Sequence, residues 1–200
     1  MDMSEDNKID YEFVGRREDN KHSIYVPLLG NKQPHANSGS TIGKGFDLKD
    51  KTEDSLKRMD IDEDVIQLLK PYFAKKGVEA LAFIKEHPLT LNSYQIDHIN
   101  LKAKEFYTAD IAKQYNTASG NTKDFFDLSA SQQTAVYSVG FQYGSLSRTP
   151  KFLKHAVNGD AKGMYNELNN FGDKHSIRRK AEARLLFNEH GTAPDFQNIY

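Results

Sequence analysis

The residue pattern of this 200-residue chain changes character once, near Thr52, and that change limits what the chain can fold into. Before it, residues 19–47 are rich in Gly, Pro, Asn and Ser, with two β-prone patches at Ser23–Val26 and Ser40–Phe46. These read as the arms of a small irregular hairpin or sheet, with Pro27–Gly39 as a long loop between them. Tyr11–Arg17 reads as a short helix leading into Glu18. After Thr52, apolar residues recur at helical spacing between breakers. Asp62 reads as the cap of a helix over Val65, Ile66, Leu68 and Leu69 that Pro71 limits. Lys75–Glu86 reads as another, ended by His87-Pro88, and Asn92 precedes a long helix carrying Ile96, Ile99, Ala103, Phe106 and Tyr107. Lys113–Lys123 reads as a polar break.

Ser129 with Gln132 three residues on makes a capping box for Ala130–Gln142, whose small and apolar residues on several sides suit a buried central helix. Thr149-Pro150, Gly159-Asp160 and His175-Ser176 open three more helices, the last running over Ile177–Glu189 and closed by Gly191. The expected fold is therefore α+β and mostly helical, with a small N-terminal β element. The expected organisation is a frayed, disordered tail over residues 1–10 and one domain over 11–200. Within that domain a β-containing lobe covers 11–50 and a helical lobe covers 51–200.

Composition removes several classes of function. A formal net charge of -1 gives no global basic field for nucleic acid. With no Cys there are no disulfides and no thiolate metal sites, and the seven His residues form no His-Glu-x-x-His or comparable cluster. No metal and no cofactor are expected. Residues 1–10 lack the apolar stretch of a secretory signal, and no apolar run reaches the length of a membrane span, so no membrane insertion is expected.

The chemistry concentrates in Ser40–Leu48. Glycines at alternating positions, Gly43 and Gly45, mark close approach of a ligand or another backbone when they lie within a strand. Thr41 and Asp47 are an even number of residues apart, so alternation along one strand puts both side chains on one face. A hydroxyl there can hold a water that Asp47 polarises. Glu18, at the edge of the glycine-rich region, supplies a second carboxyl group, and two carboxyl groups flanking a scissile bond are the parts of a glycoside hydrolase. Taken singly, each residue also reads as a turn, a cap or a solvated charge. The Gly-x-Gly is not a dinucleotide fingerprint, because no third glycine follows at the required spacing.

Three segments in order carry a resemblance to the phage-type lysozymes. Thr41–Phe46 resembles their Thr-x-Gly-x-Gly-His signature, Leu128–Gly144 their central-helix segment, and Arg178-Arg179-Lys180-Ala181-Glu182 their late Arg-Arg-x-x-Glu helix. Within that family the likeness is greatest to the pesticin-type muramidases, through Ser40-Thr41, Gly43–Leu48, Leu146–Thr149 and the region from Asn169-Asn170 to Arg179. The resemblance covers about Gly15 to Phe187 and implies a two-lobed lysozyme-like fold. It also implies hydrolysis of the β-1,4 bond between N-acetylmuramic acid and N-acetylglucosamine in peptidoglycan.

On that resemblance, Glu18 is the general acid, Asp47 the base or electrostatic partner, and Thr41 the residue that positions the attacking water. The sequence departs from the usual pattern twice. His35 stands where most phage lysozymes carry the second carboxylate, and Phe46 stands at the motif His. Asp47, six residues after Thr41, follows the pesticin arrangement instead.

Gln142 and Tyr143, which end the central helix, and Arg179 are the candidates for substrate contact. For Gln142 and Tyr143, sugar contact and packing weigh equally. Arg179 is also spaced with Glu182 as a helix-surface pair. The partners implied are peptidoglycan glycan strands and, for a toxin, a cognate immunity protein and a secretion-system carrier. The protein is expected to be made in the cytoplasm and to act in the periplasm or cell wall of a bacterium. The alternatives are a phage endolysin of the same activity and a binding module that keeps the fold without hydrolysis.

Overall fold

Residues 20–47 form the sheet that the glycine-rich pattern predicts, but with three strands rather than two arms. In the computed structural model, which describes residues 6–15 and 20–187, β1 (Asn20–Tyr25), β2 (Thr41–Lys44) and β3 (Phe46–Asp47) are antiparallel in that order. Asn20 faces Lys44, Lys21 faces Gly43 and Tyr25 faces Thr41, so the register shifts within β1 and the strand bulges. β2 and β3 pair Thr41 with Asp47 and Ile42 with Phe46. The expected second arm therefore folds back on itself at Gly43-Lys44-Gly45. Gly43 (φ 57°) and Gly45 (φ 78°) both take the left-handed conformation, which side-chain-bearing residues adopt only with strain. Gly43 still pairs with Lys21 as part of β2, and together with Gly45 it turns the chain into β3 where one continuous strand was expected. The other edge of β1 is met by residues 89–91, through Ile24 N–H to the Leu89 carbonyl and Leu91 N–H to the His22 carbonyl, both 2.9 Å.

The helices are α1 (Tyr11–Gly15), α2 (Glu53–Arg58), α3 (Glu63–Leu69), α4 (Gly77–Glu86), α5 (Ser93–Ala118), α6 (Ala130–Tyr143), α7 (Pro150–Val157), α8 (Ala161–Asn169) and α9 (Ser176–Phe187). Together with the small sheet they make the mostly helical α+β fold expected from the sequence. The capping box at Ser129 and Gln132 is present, with each side chain accepting from the other's backbone N–H. Asn92 and Gln95 close the same reciprocal pair at the start of α5. Asp62 behaves differently: its side chain makes no cap bond, and its own N–H is received by His98 Nε2 at 3.1 Å.

Two other expectations change. The polar break at Lys113–Lys123 begins later, because Ile111, Ala112 and Tyr115 continue the buried stripe and carry α5 to Ala118. Leu68 is exposed rather than part of the buried face of α3. The expected end of α9 at Glu189 and Gly191 lies outside the described residues.

The chain divides into two compact units, Gly15–Phe106 and Met1–Val14 with Tyr107–Tyr200. The first holds the sheet, α2–α4 and α5 as far as Phe106, with Ile42, Leu48, Leu56, Ile66, Leu69, Ile96 and Ile99 fully buried. The sheet thus shares its unit with helices, whereas the sequence reading ended the β-containing lobe at residue 50. In the second unit α6 is central: every residue from Gln133 to Gly140 is buried, and α7 and α9 pack against it.

Residues 6–10, which composition assigns to a tail, belong to that second unit. Lys8 N–H donates to Gln133 Oε1 and Asp10 N–H to Thr134 Oγ1, both at 2.9 Å, Gln133 Nε2 donates to the Asp6 carbonyl, and Ile9 is buried. Two polar side chains of a buried helix supply partners for backbone groups that polar composition alone would leave to water.

Candidate active site

The turn at Gly43–Gly45 decides where the candidate residues stand. Thr41 and Asp47 come to one face by lying opposite each other on neighbouring strands, since paired residues project to the same side of a sheet. The sequence reading reached the same face through alternation along a single strand. Gly39 links the pair. The Thr41 hydroxyl donates to the Gly39 carbonyl at 3.1 Å, while Gly39 N–H donates to Asp47 Oδ2 at 3.2 Å. The second oxygen of Asp47 accepts from Lys49 N–H at 2.9 Å, and Lys49 Nζ stands 3.5 Å from Oδ2. Two backbone donors and one ammonium therefore orient a carboxylate whose side chain is still 30% exposed.

Thr41 is buried and has given its only hydroxyl proton to Gly39, so it can act on a neighbour only as an acceptor. A water that donates one proton to Thr41 Oγ1 and the other to Asp47 keeps a lone pair for attack. The turn itself is held from α5: Asn100 Oδ1 accepts from Lys44 N–H at 3.0 Å, and Asn100 Nδ2 donates to Asn20 Oδ1 at 2.9 Å. A Cβ at Gly43 would come within 2.7 Å of Asn100 Oδ1, so the close approach expected beside this glycine is made by an asparagine side chain.

His35, which stands at the usual place of the second carboxylate, instead caps its own loop: its Nδ1 accepts from Asn37 N–H at 3.3 Å. Phe46, at the motif His, is buried, with Lys51 Nζ 5.3 Å from its ring centroid. Glu18 lies outside the described residues.

In the other unit, Tyr143 and Arg179 come together through Asp173. The Tyr143 hydroxyl donates to Asp173 Oδ2 at 2.6 Å and Arg179 Nε donates to the same oxygen at 3.1 Å. The Arg179 guanidinium carbon is 5.1 Å from the Phe171 ring centroid and 5.7 Å from that of Tyr143. Its Nη1 pairs with Glu182, while Nη2 is buried without a partner among the described residues. Glu182 also accepts from the Ser138 hydroxyl and from Arg178 Nε.

Arg179 and Glu182, expected as a helix-surface pair, are 1% and 0% exposed. Their partners come from α6 and from the Phe171–His175 connection, which no i,i+3 spacing reveals. Burial pushes the Glu182 carboxyl up against the opposing pull of both arginines and Ser138. Burial also pushes the Tyr143 hydroxyl up to about 12, with the Asp173 carboxylate adding to it. At Asp173 burial raises the carboxyl, but Tyr143, His175 N–H and Arg179 outweigh it and hold the group below the usual range. Gln142 is half-buried at the end of α6.

The structure thus brings Thr41 to Asp47, and Tyr143 to Arg179, within separate units. Gly39, Lys49, Asn100, Ser138 and Asp173 were not among the residues singled out from sequence. Spacing signals local pairs, and Gly39, Asn100, Ser138 and Asp173 act on residues eight to fifty-six positions away or across elements. Among the described residues no three His, Asp or Glu side chains gather as a metal site, and no helix is long and apolar enough to cross a membrane.

Residues 8–162 match the Pesticin family model, described as a bacterial toxin homologue of phage lysozyme, C-terminal part. No curated protein matches the chain.

Proposed function

We propose that this chain, which belongs to the pesticin family of phage-lysozyme homologues, is a muramidase toxin that hydrolyses the β-1,4 bond between N-acetylmuramic acid and N-acetylglucosamine. The observation that carries the reading is the Thr41–Asp47 pair, held through Gly39 with the carboxylate partly open to solvent. In this reading Glu18 protonates the leaving oxygen, Asp47 accepts a proton from water or offsets the oxocarbenium charge, and Thr41 holds that water. Direct attack by a water that Asp47 activates, on the sugar face opposite Glu18, implies inversion at the anomeric carbon.

Gln142 and Tyr143 are the proposed glycan contacts. Arg179, being buried, serves the substrate only by bracing the Tyr143 ring and Asp173. As a toxin the chain acts on peptidoglycan glycan strands in the periplasm, with a carrier for delivery and an immunity protein for the producer.

Digestion of purified peptidoglycan tests the chemistry. Muramidase action releases fragments with reducing N-acetylmuramic acid ends, whereas a transglycosylase leaves anhydro ends. Glu18→Gln should slow release by on the order of 10² to 10⁴ with the fold intact, which is what general acid catalysis contributes. A Gln variant at the wild-type rate removes Glu18 from the mechanism. Binding of the wild-type chain without release identifies a binding module instead. Rescue of periplasmic growth arrest by a small neighbouring gene product separates toxin from endolysin.

A further inference from the structure

The segment before β2 carries no side chain that would draw attention, yet it is tied on every side. The Asn37 carbonyl accepts from Lys49 Nζ at 2.8 Å, and the Ser38 carbonyl accepts from Gly77 N–H at 2.8 Å. Gly39 pairs with Lys76 across an antiparallel bridge, which fastens the segment to the start of α4. Gly39 then gives its N–H to Asp47 and its carbonyl to Thr41.

A Cβ at Gly39 would meet Asp47 Oδ1 at 2.4 Å, Lys49 Cβ at 2.5 Å and Lys49 N at 2.9 Å. Two of those three atoms are backbone or the first carbon of a side chain, so they cannot swing away as a chain end does. The carboxylate seats against the Cα of residue 39 only because no side chain is there.

We propose that Gly39 is a positioning residue for the glycosidic hydrolysis inferred above, on which this assignment rests. Its peptide N–H and C=O set where the Asp47 carboxylate and the Thr41 hydroxyl stand, and its missing side chain is what lets them stand there. The start of α4, through Lys76 and Gly77, holds Gly39 from the other side. The geometry of the pair is therefore carried by backbone, and a change at residue 39 acts on the reaction through Asp47.

Two measurements test this. In an NMR acid titration of the wild-type chain, the Gly39 amide proton should shift as Asp47 ionises, and Asp47→Asn should abolish that shift. A Gly39 amide indifferent to Asp47 overturns the proposal, and this arm does not depend on whether any Gly39 variant folds. In the second, Gly39→Ala should lower kcat by about 10²-fold with KM unchanged, the scale of a 1 Å misplacement of a catalytic group. The same change made in an Asp47→Asn background should cost almost nothing further, because the group it displaces no longer acts. An equal cost in both backgrounds marks Gly39 as merely structural. Asp47→Asn with wild-type activity instead overturns the assignment of Asp47 itself, whatever Gly39 does.

Discussion

Each unit of this protein contains a carboxylate beside a hydroxyl, and the two pairs are built in opposite ways. In the sheet unit, Asp47 and Thr41 are joined through the backbone N–H and C=O of one residue, and the Asp47 side chain keeps nearly a third of its surface open. In the α6 unit, Glu182 is bonded directly to Ser138, Arg178 and Arg179 and is fully buried. Two backbone donors and a surface ammonium orient Asp47 while leaving part of the carboxylate open to a substrate or water. Glu182 takes all its donors from side chains in a dry interior, where neither can reach it. The first arrangement suits chemistry, and the second holds helices together.

The comparison breaks most sharply at Asp47. Asp47→Asn should lower glycan release by about 10² to 10⁴ while thermal unfolding stays close to wild type, since the side chain is partly solvated and the amide oxygen still accepts from Gly39 N–H. An Asn variant that unfolds, or one that releases glycan at the normal rate, removes the distinction between the pairs.

Arg179→Met should show the reverse pattern. It leaves Glu182 and Asp173 without their shared guanidinium, and breaking a buried pair costs about 3–5 kcal/mol, read as a lower urea midpoint. Its activity per folded molecule should fall far less than that of Asp47→Asn. A stable Met variant would mean that the cluster does not hold the unit.

The smallest expected effect is a pH dependence confined to the α6 unit. Burial lowers the His175 pKa from 6.5, helped by Arg179, Lys174 and Arg178 and opposed by Asp173. The folded state therefore binds fewer protons than the unfolded state once pH drops below 6.5. Stability should fall with pH through that window and be complete above it. Asp173, held below 3.8, acts in the same direction further down: its contribution is complete above 3.8 and lost as pH falls through its lower folded value. His175→Gln should flatten the melting-temperature profile just below pH 6.5 and leave the more acidic limb in place. An unchanged profile would rule His175 out as its source.

Much of the helical framework was legible because its signals are local. The Ser129–Gln132 box, Pro150 at the first turn of α7 and Asp160 at the start of α8 each act within a few residues, and each is found at its helix. The candidate site was legible in its residue types and only partly in its arrangement. Thr41 and Asp47 do share a face, but a turn puts them there. The turn was hidden because Gly-x-Gly is equally compatible with a thinned strand and with two left-handed residues. Asp62 does stand at the N-cap of α3, but its side chain makes no capping bond and lies 3.5 Å from His98 of α5 instead.

What the sequence determined by itself is most of the helices after Asp62, the presence of a small glycine-rich sheet and the order of motifs that marks the family. Those depend on periodicity, capping and turn chemistry over short spans. Only the tertiary structure decided that Gly39 joins Thr41 to Asp47, that Asn100 holds the turn, and that Arg179 and Glu182 are buried rather than solvated. Each of those is a contact between elements, and its energy depends on distances that no local pattern of residues specifies.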